Sequence, residues 1–120
     1  MKNVNIKSTL LHFIRFIEGF LNNEISFSIF FSIFRYMFIK INIEQKTYDI
    51  LNELFWALED YVEDPELREE GDLDEEQVRE VARRVLEKLK KYYEARTETK
   101  TVYGFARQVL EKMKKFYEEL

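Results

Sequence analysis

The sequence predicts an all-α fold, an antiparallel four-helix bundle with an additional C-terminal helix. Three observations carry that expectation. Apolar residues recur at three-and-four spacing through nearly every segment, 46% of the 120 residues are hydrophobic, and residues 82–95 recur almost unchanged at 106–119. Content of this size suits one domain over residues 1–120 built on one core. The absence of cysteine excludes disulfides, thiolate metal sites and cysteine nucleophiles, and suits a reducing cytoplasm. The N-terminal Met1–Lys7 stretch precedes apolar residues but shows no small-residue cleavage pattern, so it does not read as a signal peptide.

Ser8 is placed to cap a first helix whose stripe is Leu10, Leu11, Phe13, Ile14, Ile17 and Leu21, ending near Asn22 and Asn23. Ser26 caps a second, with Ile29, Phe30, Ile33, Phe34 and Met37 expected to point inward and the helix fading around Asn42. Strand is the alternative there, because Phe and Ile favour strands and the run from Ile39 to Ile43 alternates. The same region invites a membrane reading. Its uncharged part ends at Arg35, too short to span a bilayer, and Ser26, Ser28, Ser32, Arg35 and Lys40 interrupt it, so a buried helix is expected.

A third helix runs from about Glu44 to Glu63, with Tyr48, Leu51, Leu54, Phe55, Leu58, Tyr61 and Val62 on one face, and Pro65 ends it. Residues 66–72 make a turn-rich loop closing on Gly71. Asp74 and Gln77 then form a capping-box-like pair for a fourth helix, whose buried face is Val78, Val81, Ala82, Val85, Leu86 and Leu89. Residues 106–119 match 82–95 at ten of fourteen positions without a gap, so a fifth helix should carry the same apolar face after a polar linker, Arg96 to Lys100, with Thr99 or Thr101 as its cap. Strong helix formers at the surface positions of this half, together with a near-copied helix, suit an engineered or generated sequence as well as a natural one.

Charge is segregated. Residues 1–43 hold five cations against two acids and residues 81–120 eleven against six, but Glu44 to Glu80 hold fifteen carboxylates and three cations. A net charge of −4 thus conceals a middle segment of −12, a field that steers basic partners and repels nucleic acid. Chemistry is sparse by comparison. The single histidine, His12, sits in an apolar run and reads as a partly buried structural residue, and no nucleophile is placed beside it. None of the glycines forms a phosphate-binding loop. Asp72, Asp74 and Glu76 alternate like the first ligands of a calcium loop, but the glycine and final acid such a loop needs are missing. Glu59, Asp60, Glu63 and Asp64 share the spacing of one helical face without the histidines that carboxylate-bridged metal helices use. No catalytic residue, metal or cofactor is expected.

The acidic segment also holds aromatics. Trp56 and Tyr61 beside Glu59, Asp60, Glu63 and Asp64 offer apolar anchors ringed by negative charge. The runs Tyr48–Phe55, Ala57–Tyr61, Asp64–Arg68 and Gly71–Arg79, with the upstream Phe20–Phe27 (FLNNEISF), resemble the colicin D immunity family, which includes immunity proteins of contact-dependent growth-inhibition systems. The resemblance covers about residues 8–92. It implies a helical bundle acting as an immunity protein, or antitoxin, against a nuclease toxin that cleaves the anticodon loop of transfer RNA. In that family an acidic surface standing in for the RNA backbone covers the basic active site. By position, the toxin-binding residues it implies are Glu59, Asp60, Tyr61, Glu63 and Asp64 on the third helix, then Glu66, Glu69, Glu70, Asp72 and Asp74 in the loop, and Trp56 joins them as the apolar anchor beside the charge.

Two features depart from the family: a Phe-rich second helix and the repeated helix over about 100–120. The expected partner is the basic nuclease domain of a cognate toxin, bound in the cytoplasm by a monomer or homodimer without direct contact to nucleic acid or membrane. Two other readings stand beside it: a nucleic-acid mimic directed at another nuclease, and a structural or membrane-associated helical protein using the Phe-rich helix.

Overall fold

The computed structural model describes residues 6–100 and 102–118. Its helices are α1 (Ile6–Leu21), α2 (Phe27–Lys40), α3 (Gln45–Glu59), α4 (Glu75–Lys100) and α5 (Val102–Glu118), with a 3-10 turn at Pro65–Leu67. Short connections join α1, α2 and α3 in sequence, and α4 returns to pack on both α1 and α3, closing a four-helix bundle. The all-α expectation holds, and α2 is a helix rather than the alternative strand.

The core is aromatic on the α1/α2 side and aliphatic around α4. Phe30 stacks on Phe20 with centroids 4.2 Å apart and planes 7° apart, and on Phe16 at 5.0 Å. Phe34 meets Phe13 edge-on at 5.9 Å, and Phe38 stacks on Phe55 at 4.7 Å. Such pairs add about 0.5–1.5 kcal/mol each beyond the burial of their area. Leu51, Leu54, Leu58, Val78, Ala82, Val85 and Leu89 complete the interior.

Several local expectations shift. The chain is already helical at Ile6, so Ser8 lies inside α1 and is not its cap. His12 is exposed on α1 rather than partly buried, because the adjacent Phe13 and Ile14 take the inward positions. Ser26 does cap α2, accepting from the Ile29 amide at 3.4 Å. The inward stripe of α2 is Phe30, Phe34 and Phe38, spaced by four, whereas Ile29 and Ile33 are 53% and 42% exposed. Phenylalanine wins the register because its rings interleave with those of α1. Tyr48 of α3 is likewise 41% exposed, lying against Phe38 at 4.8 Å.

The larger correction concerns the end of α3. The helix stops at Glu59, and Tyr61 and Val62 lie beyond it. The Leu73 amide donates to the Asp60 carbonyl (2.8 Å) and the Val62 amide to the Leu73 carbonyl (3.0 Å), forming a parallel bridge between Tyr61 and Leu73. This cross-loop pairing draws the backbone out of the helix before Pro65, which instead opens the 3-10 turn. Glu59, Asp60, Glu63 and Asp64 therefore do not share a helical face.

Asp74 and Gln77 form the expected reciprocal capping box, with the Asp74 amide donating to Gln77 Oε1 (2.9 Å) and the Gln77 amide to Asp74 Oδ1 (2.8 Å). α4 then continues through Lys100. The expected polar linker Arg96–Lys100 is helical, since neither glycine nor proline interrupts it. Thr99 consequently lies inside α4, while Thr101, like residues 1–5, falls outside the described residues. α5 follows α4 after a single residue, and Val109–Glu118 are exposed throughout. The longest dimension reaches 75 Å.

Candidate functional site

Residues 60–74 form a loop clasped between the C-terminus of α3 and the N-terminus of α4, and most of the sequence-selected acids fall on it. Three of them shape the backbone. Asp64 accepts from the Glu66 amide (3.0 Å), Asp72 from the Glu69 amide (2.8 Å) and Asp74 from the Gln77 amide. Gly71 turns the chain at φ 94°, a conformation that favours glycine. Arg68, the only cation between Lys46 and Arg79, donates Nε to the Val62 carbonyl (2.7 Å) and Nη2 to the Glu63 carbonyl (3.0 Å). It acts as a strut that ties the loop together through its own backbone.

The other acids are free. Asp60, Glu63, Glu66, Glu69 and Glu70 are exposed, and none has a side-chain hydrogen bond or ion pair among the described residues. Glu59 differs from them: Arg35 of α2 holds it at 2.9 Å, so its charge is already matched. Trp56 lies on α3 one turn before Asp60, 57% exposed, with its ring edge-on to Phe55 at 5.5 Å. It suits an anchor. Tyr61 is half-buried against Phe27, with centroids 4.3 Å apart. Burial, then the charges of Glu63 and Glu75, push its phenol above the ordinary range.

Several carboxylates elsewhere are matched within the chain. Glu53 binds Arg84 at 2.9 Å and Lys88 at 3.3 Å, and its hydrogen bond from Arg84, helped by Lys88, lowers its pKa. Glu75 binds Arg79, while Glu80 and Glu76 bind Arg83. Glu44 accepts from Tyr92 and lies within 3.8 Å of Arg96. Unmatched negative charge thus collects on the 60–70 loop. Among the described residues no group of three potential ligands is placed to hold a metal ion.

Three features escaped sequence reading. Arg79 lies over the Phe20 ring at 4.3 Å and donates to the Phe20 carbonyl at 3.0 Å, closing the end of α1. The Arg35–Glu59 pair joins α2 to α3. Ile29, Ile33, Tyr36 and Ile39 leave an exposed apolar strip along α2. Only the strip had a signal: α2 is apolar nearly all round, more than one buried face requires.

A family model described as bacterial self-protective colicin-like immunity matches residues 8–89. This chain belongs to that family. The match spans nearly all of α1, then α2, α3, the acidic loop and α4 as far as Leu89, leaving α5 outside it. No curated protein and no solved structure matches the chain. As an immunity protein it protects against a colicin-like toxin, and among its described residues no helix is long and apolar enough to cross a membrane.

Proposed function

We propose that this immunity protein blocks the active site of a colicin-D-like nuclease that cleaves transfer RNA, binding its basic domain in the cytoplasm in one-to-one stoichiometry and performing no chemistry. The observation that carries this reading is the five unmatched carboxylates, Asp60, Glu63, Glu66, Glu69 and Glu70, on a loop fixed by its own hydrogen bonds. A site that holds an RNA backbone presents lysines and arginines, and fixed carboxylates pair with them as phosphates do. Trp56 supplies an apolar anchor beside the charge. Glu59, Asp64, Asp72 and Asp74 serve mainly by shaping this surface, and Tyr61 by supporting it from below.

Co-expression with a panel of colicin-D-like nuclease domains tests the reading. One toxin should be neutralised, with transfer RNA intact and a stoichiometric complex recovered, and changing Asp60, Glu63 and Glu69 together to Lys should abolish rescue while leaving the bundle folded. Full protection by the triple variant refutes this placement of the interface. Inhibition of unrelated nucleases instead selects the nucleic-acid-mimic reading. The exposed apolar strip of α2 favours a membrane-associated alternative, which liposome flotation tests directly.

A further inference from the structure

An open cleft of about 510 Å³ lies between the first turns of α2 and the acidic loop. Phe27, Phe31 and Tyr61 give it a continuous aromatic lining, with Phe27 centroids 4.3 Å from Tyr61 and 6.1 Å from Phe31. Glu63 and Glu75 also line it, and no cation does. Glu75 shares its charge with Arg79 at 2.9 Å, whereas Glu63 has no side-chain partner among the described residues. An aromatic surface beside an unmatched carboxylate has one chemical complement among protein side chains: an apolar stem ending in a cation. A wholly apolar occupant would strip water from Glu63 without replacing it.

We infer that this cleft receives a single arginine side chain of the partner protein, its stem and guanidinium plane lying on Phe27 and Tyr61 and its N–H groups donating to the Glu63 carboxylate. Arginine fits better than lysine, because its planar, weakly hydrated head stacks on rings while retaining donors at its edge. The hydroxyls of Ser28 and Ser32 in the same lining supply further acceptors. That the arginine belongs to a toxin rests on the immunity reading, but the cleft's preference for a guanidinium does not.

The test is an NMR titration of the full chain with butylguanidinium, following the ring resonances of Phe27, Phe31 and Tyr61, with the uncharged butylurea as control. Saturable shifts at these rings are expected, with a dissociation constant on the order of 10 mM for so small a ligand. Glu63→Gln should weaken binding about five-fold, and Glu69→Gln, on the same loop outside the cleft, should leave it unchanged. Equal shifts with butylurea, no saturable shift, or equal effects of the two variants would overturn the inference. An unchanged amide spectrum shows that each variant keeps its fold. Rescue in cells without butylguanidinium binding discards the cleft and keeps the immunity function. Binding without rescue by any toxin does the reverse.

Discussion

Asp74 and Gln77 close the first turn of α4 reciprocally, satisfying amides that the helix leaves without partners. Asp74→Ala should destabilise the bundle by about 1 kcal/mol, read as a lower urea midpoint at unchanged slope. Glu53 makes a different demonstration possible. Its pairs with Arg84 and Lys88 hold its folded pKa below that of the unfolded chain, so their contribution is complete above the unfolded carboxylate range and is lost as pH falls through the folded value. With the side chain 37% exposed, solvent screening limits that contribution to roughly 0.5 kcal/mol. Wild type should exceed Glu53→Gln by this margin near neutrality, and urea titrations at descending pH should show the margin vanish. Both caps, Ser26 and Asp74, were legible because a cap and its amide lie within one turn. Arg79 donating to the Phe20 carbonyl was not, since 59 residues separate the partners.

Helix α2 shows how a segment apolar on several sides chooses its face. Phe30, Phe34 and Phe38 are buried while Ile29 and Ile33 stay in solvent, so Phe30→Ala should cost about 3–5 kcal/mol and Ile33→Ser less than about 0.5 kcal/mol. Chemical denaturation of the two variants distinguishes this register from the one the spacing suggested. Periodicity named the right helix and two of its three buried residues, but added Ile29 and Ile33, because Ile and Phe at neighbouring positions are equally hydrophobic and only ring-on-ring packing with Phe13, Phe16 and Phe20 separates them. Helix α3 failed for another reason. Its pattern runs on through Tyr61 and Val62, but backbone pairing with Leu73, twelve residues away, overrides it. The acidic composition of the candidate site was therefore readable, while its shape, a braced loop in place of a helical face, was not.

Along the chain as folded, the bundle and α5 have separate standing. Val109, Leu110, Met113, Phe116 and Tyr117 repeat the stripe that α4 buries, yet all five are exposed. Deleting residues 109–120 should change the unfolding free energy of the bundle by less than about 0.5 kcal/mol, measurable as an unshifted urea midpoint. A large loss would show that these residues brace the bundle. Repetition in the sequence foretold the helix but not its isolation, because identical faces pack only where a vacant partner surface exists.

The acidic loop divides its residues between two kinds of work. The side chains of Asp64, Asp72 and Asp74, with Arg68, dictate the course of the backbone, whereas those of Asp60, Glu63, Glu66, Glu69 and Glu70 have no hydrogen-bond or ion-pair partner among the described residues. If the proposed interface holds, a lineage can rewrite the second set, one charge at a time, and meet a changed toxin without endangering the architecture that displays those charges. Because the backbone is already fixed, each rewriting at such an interface would alter recognition without adding an ordering cost on association. On that reading, folding and specificity are free to drift independently over a span of fifteen residues.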